Sequence, residues 1–225
     1  MQKIRVKICC ICNVKEAKLA TAYGASALGL VGHMPSGPGV ISNSKISEIT
    51  KSVPPMVSTF LLTSETKAAA VIDHYKKVNT STIQIVDALE SRDYEQIKNE
   101  LPHVKIVQVV HVLHDKSVAE AIGVSKYVDA ILLDSGNPNL KTKKLGGTGR
   151  THNWDLSRKI RDQIDIPVFL AGGINCNNVK QAIEHVQPFG VDLCSSVRTN
   201  GKLDENKLRM FSEAIQSIHH NQSSI

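Results

Sequence analysis

Two groups of residues in this chain suit acid–base chemistry. In the first, Lys7 and Cys9 stand two residues apart in an alternating segment, so an amine and a thiol share one face of an extended chain. In the second, Asp134 closes the apolar run AILLD. A thiol and a carboxylate in different surroundings can serve as a base and an acid. The alternatives are a rim lysine beside a buried thiol, and an aspartate that caps the next loop.

A third group consists of glycine and hydroxyl turns in the last third of the chain. Glycine lets backbone amides approach an anion closely, so turns of this kind are typical of phosphate sites. Each turn by itself is weak evidence, and ordinary turn chemistry is the alternative. Together they predict a phosphate site made by Gly147, Thr148, Gly149, Gly172, Gly173, Ser195 and Ser196.

The cysteines Cys9, Cys10 and Cys12 include a CxxC spacing that invites a metal or redox interpretation. A structural zinc site needs four ligands, and Cys176 and Cys194 are remote in sequence with no histidine near them. A thioredoxin-like CxxC opens a helix, whereas these cysteines lie in an apparent strand. We therefore expect no metal and no redox centre. The odd total of five cysteines indicates reduced thiols without a structural disulfide, as in the cytoplasm.

The predicted elements that position these groups alternate between short apolar runs and helix-period segments. Eight strand–helix units in 225 residues favour a single-domain (β/α)8 TIM barrel of the phosphate-binding type over an open doubly wound sheet. We expect the domain to cover residues 1–218, followed by a frayed polar tail at 219–225. The predicted strands are 4–11, 27–32, 56–62, 82–86, 105–112, 130–134, 167–173 and 190–195.

Local signals refine this picture. Asn13, Ser64 and Asn175 each precede a helical pattern, and Gly24 stands where the first helix should end. The one long connection, 135–152, is a candidate lid. In the first strand, alternation predicts that Ile4, Val6, Ile8 and Cys10 face the helices, whereas Arg5, Lys7 and Cys9 face the barrel interior. The same parity turns Asp134 into the barrel mouth.

Composition limits the possible partners. The net charge of +6 is spread along the chain, which suits the steering of small anions and disfavours nucleic acid as a partner. No segment has the roughly 18 apolar residues of a membrane span, and the first ten residues are not typical of a signal peptide. We expect a cytoplasmic enzyme with no membrane partner, acting as a monomer or a homodimer.

Five motifs occur in family order across nearly the whole chain: Lys7-Ile8-Cys9, Leu132-Leu133-Asp134, GGTGRTHNW at 146–154, PVFLAGGIN at 167–175 and GVDLCSSV at 190–197. In these five motifs the chain resembles the phosphoribosylanthranilate isomerases of tryptophan biosynthesis. The resemblance implies a cofactor-free Amadori rearrangement of a small phosphorylated sugar-amine. It also implies that Cys9 is the general base, that Asp134 is the general acid, and that the glycine and serine turns hold the phosphate.

Several departures from the family pattern fall where its members bind the anthranilate part of the substrate. The Ser-Pro-Arg after the second strand is Gly37-Pro38-Gly39 here, so its carboxylate-binding arginine is missing. The glycine after the base is Cys10. After the fourth strand, the family's Gln-Leu-His-Gly is Gln84-Ile85-Val86-Asp87 here, so its histidine is missing. After the eighth strand, Ser-Gly-Val-Glu is Ser195-Ser196-Val197-Arg198, so an acidic residue is replaced by a basic one. The residues that we expect to contact the substrate are Lys7, His33, Gln84, Arg150 and Arg198.

His33, Arg150 and Arg198 are the candidate replacements for the missing arginine. Two other hypotheses stay open. One is an isomerase of the same chemistry that acts on a different phosphoribosyl amine, and the other is a non-catalytic barrel that binds a phosphorylated ligand.

Overall fold

The structure is a computed structural model that describes residues 3–136, 149 and 151–222. Eight parallel strands pair in sequence order and close into a barrel through the pairing of the first with the eighth. This confirms the predicted (β/α)8 architecture. The strands are β1 Arg5–Ile8, β2 Ala27–Val31, β3 Ser58–Thr63, β4 Thr82–Ile85, β5 Lys105–His111, β6 Ala130–Asp134, β7 Val168–Leu170 and β8 Gly190–Leu193.

Helices follow the strands and cover the outside of the barrel. A 3₁₀ turn at Ser195–Val197 and a short hairpin, β9 Arg198–Thr199 with β10 Lys202–Leu203, follow the eighth strand. Among the described helices, none has the length and apolar character to cross a membrane. The helices are α1 Val14–Ala22, α2 Asn43–Ser52, α3 Ala68–Val78, α4 Ser91–Glu100, α5 Lys116–Ser125, α6 Trp154–Arg161, α7 Val179–Val186 and α8 Glu205–Gln222.

The core has two layers because each strand points alternate side chains to opposite faces. Ile8, Leu28 and Ile83 belong to the layer between strands and helices. Phe60 and Phe169 belong to the barrel interior, where their rings meet edge to face with centroids 6.2 Å apart. Each large apolar side chain buried in these layers contributes about 1.5–3 kcal/mol relative to exposure, which fixes the face that every strand turns inward.

Six strands end earlier than the sequence predicted, three of them by two or three residues. β1 stops at Ile8, β7 at Leu170 and β8 at Leu193. Beyond β1 and β7, Cys10, Gly172 and Gly173 adopt positive φ values of 63°, 77° and 67°, which do not fit a strand. The segments released from the sheet are loops at the carboxyl ends of the strands.

Of the three predicted helix starts one is right, and the predicted stop at Gly24 agrees with the end of α1 at Ala22. Asn13 caps α1, since its side chain accepts the N–H of Glu16 at 2.9 Å. Ser64 is not a cap: its hydroxyl donates to the carbonyl of His33, and α3 begins only at Ala68. Asn175 is also not the cap of α7, because that helix begins after Asn178. Short polar side chains bond turns as readily as helix ends, so their spacing alone misplaced these starts.

Two predicted segments fall partly outside the described residues. Residues 137–148 and 150 of the candidate lid are among those the structure does not describe. At the other end of the chain, α8 runs to Gln222, so the backbone is helical through the first four residues of the segment that we predicted as a tail.

Candidate active site

A cavity that is open to solvent lies at the carboxyl ends of the strands. Cys9, which follows β1, and Asp134, which ends β6, both line it. This is the end of a (β/α)8 barrel at which active sites form. The two groups that the sequence singled out for acid–base chemistry therefore face one space.

Lys7 points into the barrel as predicted, but it is fully buried beneath the cavity and is not part of its wall. Its ammonium donates to Asp192 Oδ2 at 2.8 Å, because β1 pairs with β8 in a register that sets Lys7 beside Asp192. Burial works to lower the pKa of Lys7, but the Asp192 carboxylate more than offsets it, so the pKa lies above its usual value. The Lys7 ammonium is thus a buried positive charge below the cavity, held in place by Asp192.

The thiol of Cys9 occupies space that Gly29 leaves open. A Cβ built on Gly29 would lie 2.8 Å from Cys9 Sγ and 3.2 Å from Lys7 Nζ. The thiol and the ammonium therefore border the same small volume, with the glycine of β2 opposite them. A larger residue at position 29 would displace one of the two groups.

Asp134 is buried at the mouth, where its Oδ1 accepts the N–H of Ser135 at 2.7 Å. Burial raises the pKa of this carboxyl, and the Ser135 hydrogen bond and the charge of Lys7 offset only part of that effect. A carboxyl with a raised pKa holds its proton to higher pH, which is the property that a general acid needs.

The predicted phosphate turns converge on the same cavity. Gly149, Gly172 and Gly173 line it together with Ser195 and Ser196. The hydroxyl of Ser196 is buried without a hydrogen-bond partner among the described residues, so it is available to an anion. Three further predicted contacts, Gly147, Thr148 and Arg150, lie outside the described residues.

Arg198 requires a correction. Its guanidinium is buried and bonds Glu16, with both carboxylate oxygens at 3.3 Å, and it also donates to the carbonyls of Cys9 at 3.1 Å and Cys10 at 2.5 Å. The barrel closure that sets β8 beside β1 brings it there. Arg198 is a clamp on the segment after β1 and not the substrate-facing cation that the sequence predicted.

Of the two remaining predicted substrate contacts, Gln84 lines the cavity and His33 does not. Gln84 of β4 lines the cavity, and its Oε1 is buried without a partner among the described residues. His33 is exposed and is not part of the described cavity wall. In the described ranges, no three His, Cys, Asp or Glu side chains are grouped to hold a metal ion.

Cys10 lies on a different face from the one that strand alternation predicted, and two neighbours of the site, Cys194 and Asp192, were not predicted. Cys10 does not face the helices: its left-handed backbone turns the thiol toward the cavity, where Sγ lies 2.7 Å from Cys194 Sγ. Cys194 is remote in sequence but follows β8, the partner of β1. The third residue, Asp192, had a readable signal, because alternation in GVDL and closure of the barrel together place it opposite Lys7.

Comparison with known proteins identifies the family of the chain. The family model described as N-(5'phosphoribosyl)anthranilate (PRA) isomerase matches residues 6–214. An N-(5'-phosphoribosyl)anthranilate isomerase of Methanosarcina mazei is 32% identical, with 95% of each chain covered. The crystal structure of phosphoribosyl anthranilate isomerase from Thermotoga maritima superposes with a TM-score of 0.82 at 28% identity and covers 95% of this chain and 99% of that one.

A further crystal structure, of such an isomerase in complex with reduced 1-(o-carboxyphenylamino)-1-deoxyribulose 5-phosphate, superposes with a TM-score of 0.79 at 26% identity. It covers 95% of this chain and 99% of its own. The family match spans more than nine tenths of the chain, from within β1 into α8. The chain therefore belongs to the N-(5'-phosphoribosyl)anthranilate isomerase family.

Proposed function

We propose that this protein isomerises N-(5'-phosphoribosyl)anthranilate to 1-(2-carboxyphenylamino)-1-deoxyribulose 5-phosphate, a step of tryptophan biosynthesis, with Cys9 as the general base and Asp134 as the general acid. One observation carries the proposal: the two groups line one cavity together with the glycine and serine turns after β7 and β8. Family membership supports the same reaction.

The chemistry follows from the properties of the two groups. Asp134, whose pKa is raised by burial, protonates the furanose ring oxygen, so the ring opens to a Schiff base. Cys9 then removes the proton from C2, and the resulting enolamine tautomerises to the ketosamine. The reaction rearranges protons and double bonds within one molecule, so it needs no cofactor.

The phosphate end of the substrate is assigned to the turns. Gly172 and Gly173 adopt left-handed φ values that turn their backbone away from the strand path, and Ser195 and Ser196 follow β8 after one intervening residue, Cys194. Loops after the seventh and eighth strands are the usual phosphate sites of such barrels. Held there, the substrate has its sugar between Cys9 and Asp134.

One observation favours a second candidate, an isomerase acting on a different phosphoribosyl amine. The described lining of the cavity includes no lysine, arginine or histidine. A buried substrate carboxylate usually needs a cation, and its absence costs several kcal/mol. Position 39, where the family pattern has arginine, is glycine, and Arg198 is held by Glu16.

The test is the loss of anthranilate fluorescence when the enzyme meets freshly generated phosphoribosylanthranilate. We expect Cys9→Ala and Asp134→Asn each to lower turnover by a factor of at least about 100. The matched controls, Cys12→Ala and Asp73→Asn, alter a neighbouring thiol and an exposed carboxylate outside the cavity wall and should keep wild-type rates.

Three outcomes discriminate between the hypotheses. Full turnover by Cys9→Ala or Asp134→Asn would remove that residue from the mechanism. A wild-type chain that binds inorganic phosphate but turns over only another phosphoribosyl amine would support the second candidate. A chain that binds phosphate and turns over neither substrate would be a non-catalytic barrel.

The proposed place of action is the cytoplasm. All five cysteines are free thiols in the structure. Thiols at several positions persist in reducing compartments and are rare in oxidising ones.

A further inference from the structure

Two thiols that the proposed mechanism does not use meet at the wall of the cavity. Cys10 Sγ lies 2.7 Å from Cys194 Sγ, although the residues are 184 positions apart. Both side chains line the cavity. The contact depends on the closure of the barrel, since Cys10 follows β1 and Cys194 follows β8.

We propose that Cys10 and Cys194 are a redox-active pair, and that a small organic disulfide oxidises them to a cross-link which reversibly slows the enzyme. The sulfurs of a protein disulfide are about 2.05 Å apart, so the two atoms need only a small further approach. The cross-link itself does not depend on the proposed function; the change in turnover does.

The local electrostatics assign the two thiols different parts in the exchange. The hydrogen bond from Cys10 lowers the pKa of Cys194, and the charge of Arg198 acts in the same direction. That same contact raises the pKa of Cys10. Cys194 is also the less buried of the two. Cys194 is therefore the attacking thiolate, because the thiolate is the nucleophile in thiol–disulfide exchange.

The exchange balances in two steps. Cys194 thiolate attacks one sulfur of the reagent, forms a mixed disulfide and releases the first reagent thiolate. Cys10 then gives up its proton and attacks Cys194 Sγ, which forms the Cys10–Cys194 bond and releases the second thiolate. The protein loses two electrons and two protons, and the reagent disulfide is reduced to two thiols.

The other described thiols are less well placed to pair. Cys12 Sγ lies 3.2 Å from the carbonyl oxygen of Cys10, to which it donates. Cys176 Sγ lies beside Asn177 Oδ1. Cys9 is adjacent to Cys10 in the chain, so their Cα atoms lie about 3.8 Å apart, below the range of about 4.4–6.8 Å that is usual for a disulfide. Cys10 Sγ and Cys194 Sγ, in contact at 2.7 Å, are therefore the pair best placed to form a cross-link.

A cross-link at this point would act on both halves of the site. Cys10 is bonded to the proposed base Cys9, and Cys194 precedes the serines of the phosphate turn. Drawing the two sulfurs together shifts one segment relative to the other by a fraction of an ångström. Misplacing a reacting group by about 1 Å costs about 100-fold in rate, so we expect a loss of about tenfold or more.

The test treats the native protein with hydroxyethyl disulfide and follows mass, peptides and activity. We expect the mass to fall by two hydrogen atoms, and trypsin to release a cross-linked pair of peptides, 8–15 and 181–198. The ratio of oxidised to reduced kcat/KM should fall to about one tenth or less and recover with dithiothreitol.

Variants decide which cysteines are responsible. Cys10→Ser and Cys194→Ser should form no cross-link and give a ratio near one, whereas Cys12→Ser and Cys176→Ser should behave as the wild type. No cross-link in the wild type would overturn the proposal, as would a cross-link without change in turnover. Equal inhibition of Cys194→Ser would show that another thiol causes the effect and would also overturn the proposal. Mass mapping detects the cross-link even in a chain without turnover.

Discussion

The side chain of Cys10 fills the space that a side chain at position 39 would need. A Cβ on Gly39 would lie 2.5 Å from Cys10 Cβ and 3.0 Å from its Cα, and Gly39 has a φ of +80°. In the family pattern that the chain resembles, position 39 is arginine and position 10 is glycine. The Cys10 side chain and a side chain at position 39 would occupy the same space, so we expect substitutions at the two positions to be coupled.

We expect Gly39→Arg alone to lower the free energy of unfolding by about 1–3 kcal/mol, through the clash with Cys10 and the strained backbone. The double variant Cys10→Gly/Gly39→Arg should regain part of that loss. Urea unfolding of the wild type, both single variants and the double variant measures the coupling. Additivity within about 0.5 kcal/mol would show that the two positions are independent.

A second prediction concerns the space beside the proposed base. In Gly29→Ala the new Cβ would lie 2.8 Å from Cys9 Sγ and 3.0 Å from Cys9 Cα, so the base must move. We expect kcat to fall by about 100-fold while the circular dichroism spectrum is retained. Gly123→Ala is the matched control, because its Cβ meets nothing within 4 Å and its turnover should be unchanged. Wild-type kcat in Gly29→Ala would mean that the position of the thiol is not critical.

Sequence alone predicted the barrel because its signal is periodic and repeated. The eight apolar runs and the parity of Lys7, Cys9 and Asp134 depend only on strand alternation, which survives small errors in strand ends. The parity of Cys10 failed because a single left-handed residue ends the alternation, and a cysteine at that position does not by itself predict a φ of 63°.

Arg198 was misassigned for a different reason. An arginine just after the last strand is a reasonable candidate for binding an anion, and nothing in the sequence indicates that Glu16 is its partner. Glu16 lies 182 residues away and meets Arg198 only when β1 and β8 close the barrel. The same closure joins Lys7 to Asp192 and Cys10 to Cys194. Of these three contacts, Lys7–Asp192 follows from strand alternation once the barrel is predicted, whereas Arg198–Glu16 and Cys10–Cys194 are made by residues outside β1 and β8 and could not be predicted from local sequence.

The Arg198 clamp gives a third prediction. Arg198→Met leaves Glu16 buried without its cation and should lower the free energy of unfolding by about 3–5 kcal/mol. It also frees the carbonyls of Cys9 and Cys10, so kcat should fall in the folded fraction. Glu16→Gln/Arg198→Met should recover part of the stability. The control, Arg209→Met, breaks an exposed pair with Glu213 and should cost less than about 1 kcal/mol. A similar small loss in Arg198→Met would contradict the clamp.

The last prediction concerns acid sensitivity. Burial lowers the pKa of His152 from 6.5 to about 4 in the folded protein, where its Nε2 pairs with the hydroxyl of Ser157. The neutral imidazole is therefore favoured by folding. Its contribution is fully present above pH 6.5 and is lost as the pH falls toward about 4, because the unfolded chain takes up a proton that the folded chain does not.

Urea unfolding at several pH values should show the wild type losing stability over this range, with a share of up to about 3 kcal/mol from this residue. His152→Gln keeps a hydrogen-bonding amide and has no titrating group, so its stability should fall less between the two pH values. Exposed carboxylates contribute equally to both proteins and cancel in the comparison. His114→Gln, at an exposed position, should retain the wild-type slope. Identical slopes for His152→Gln and the wild type would show that His152 is protonated as readily in the folded chain as in the unfolded one.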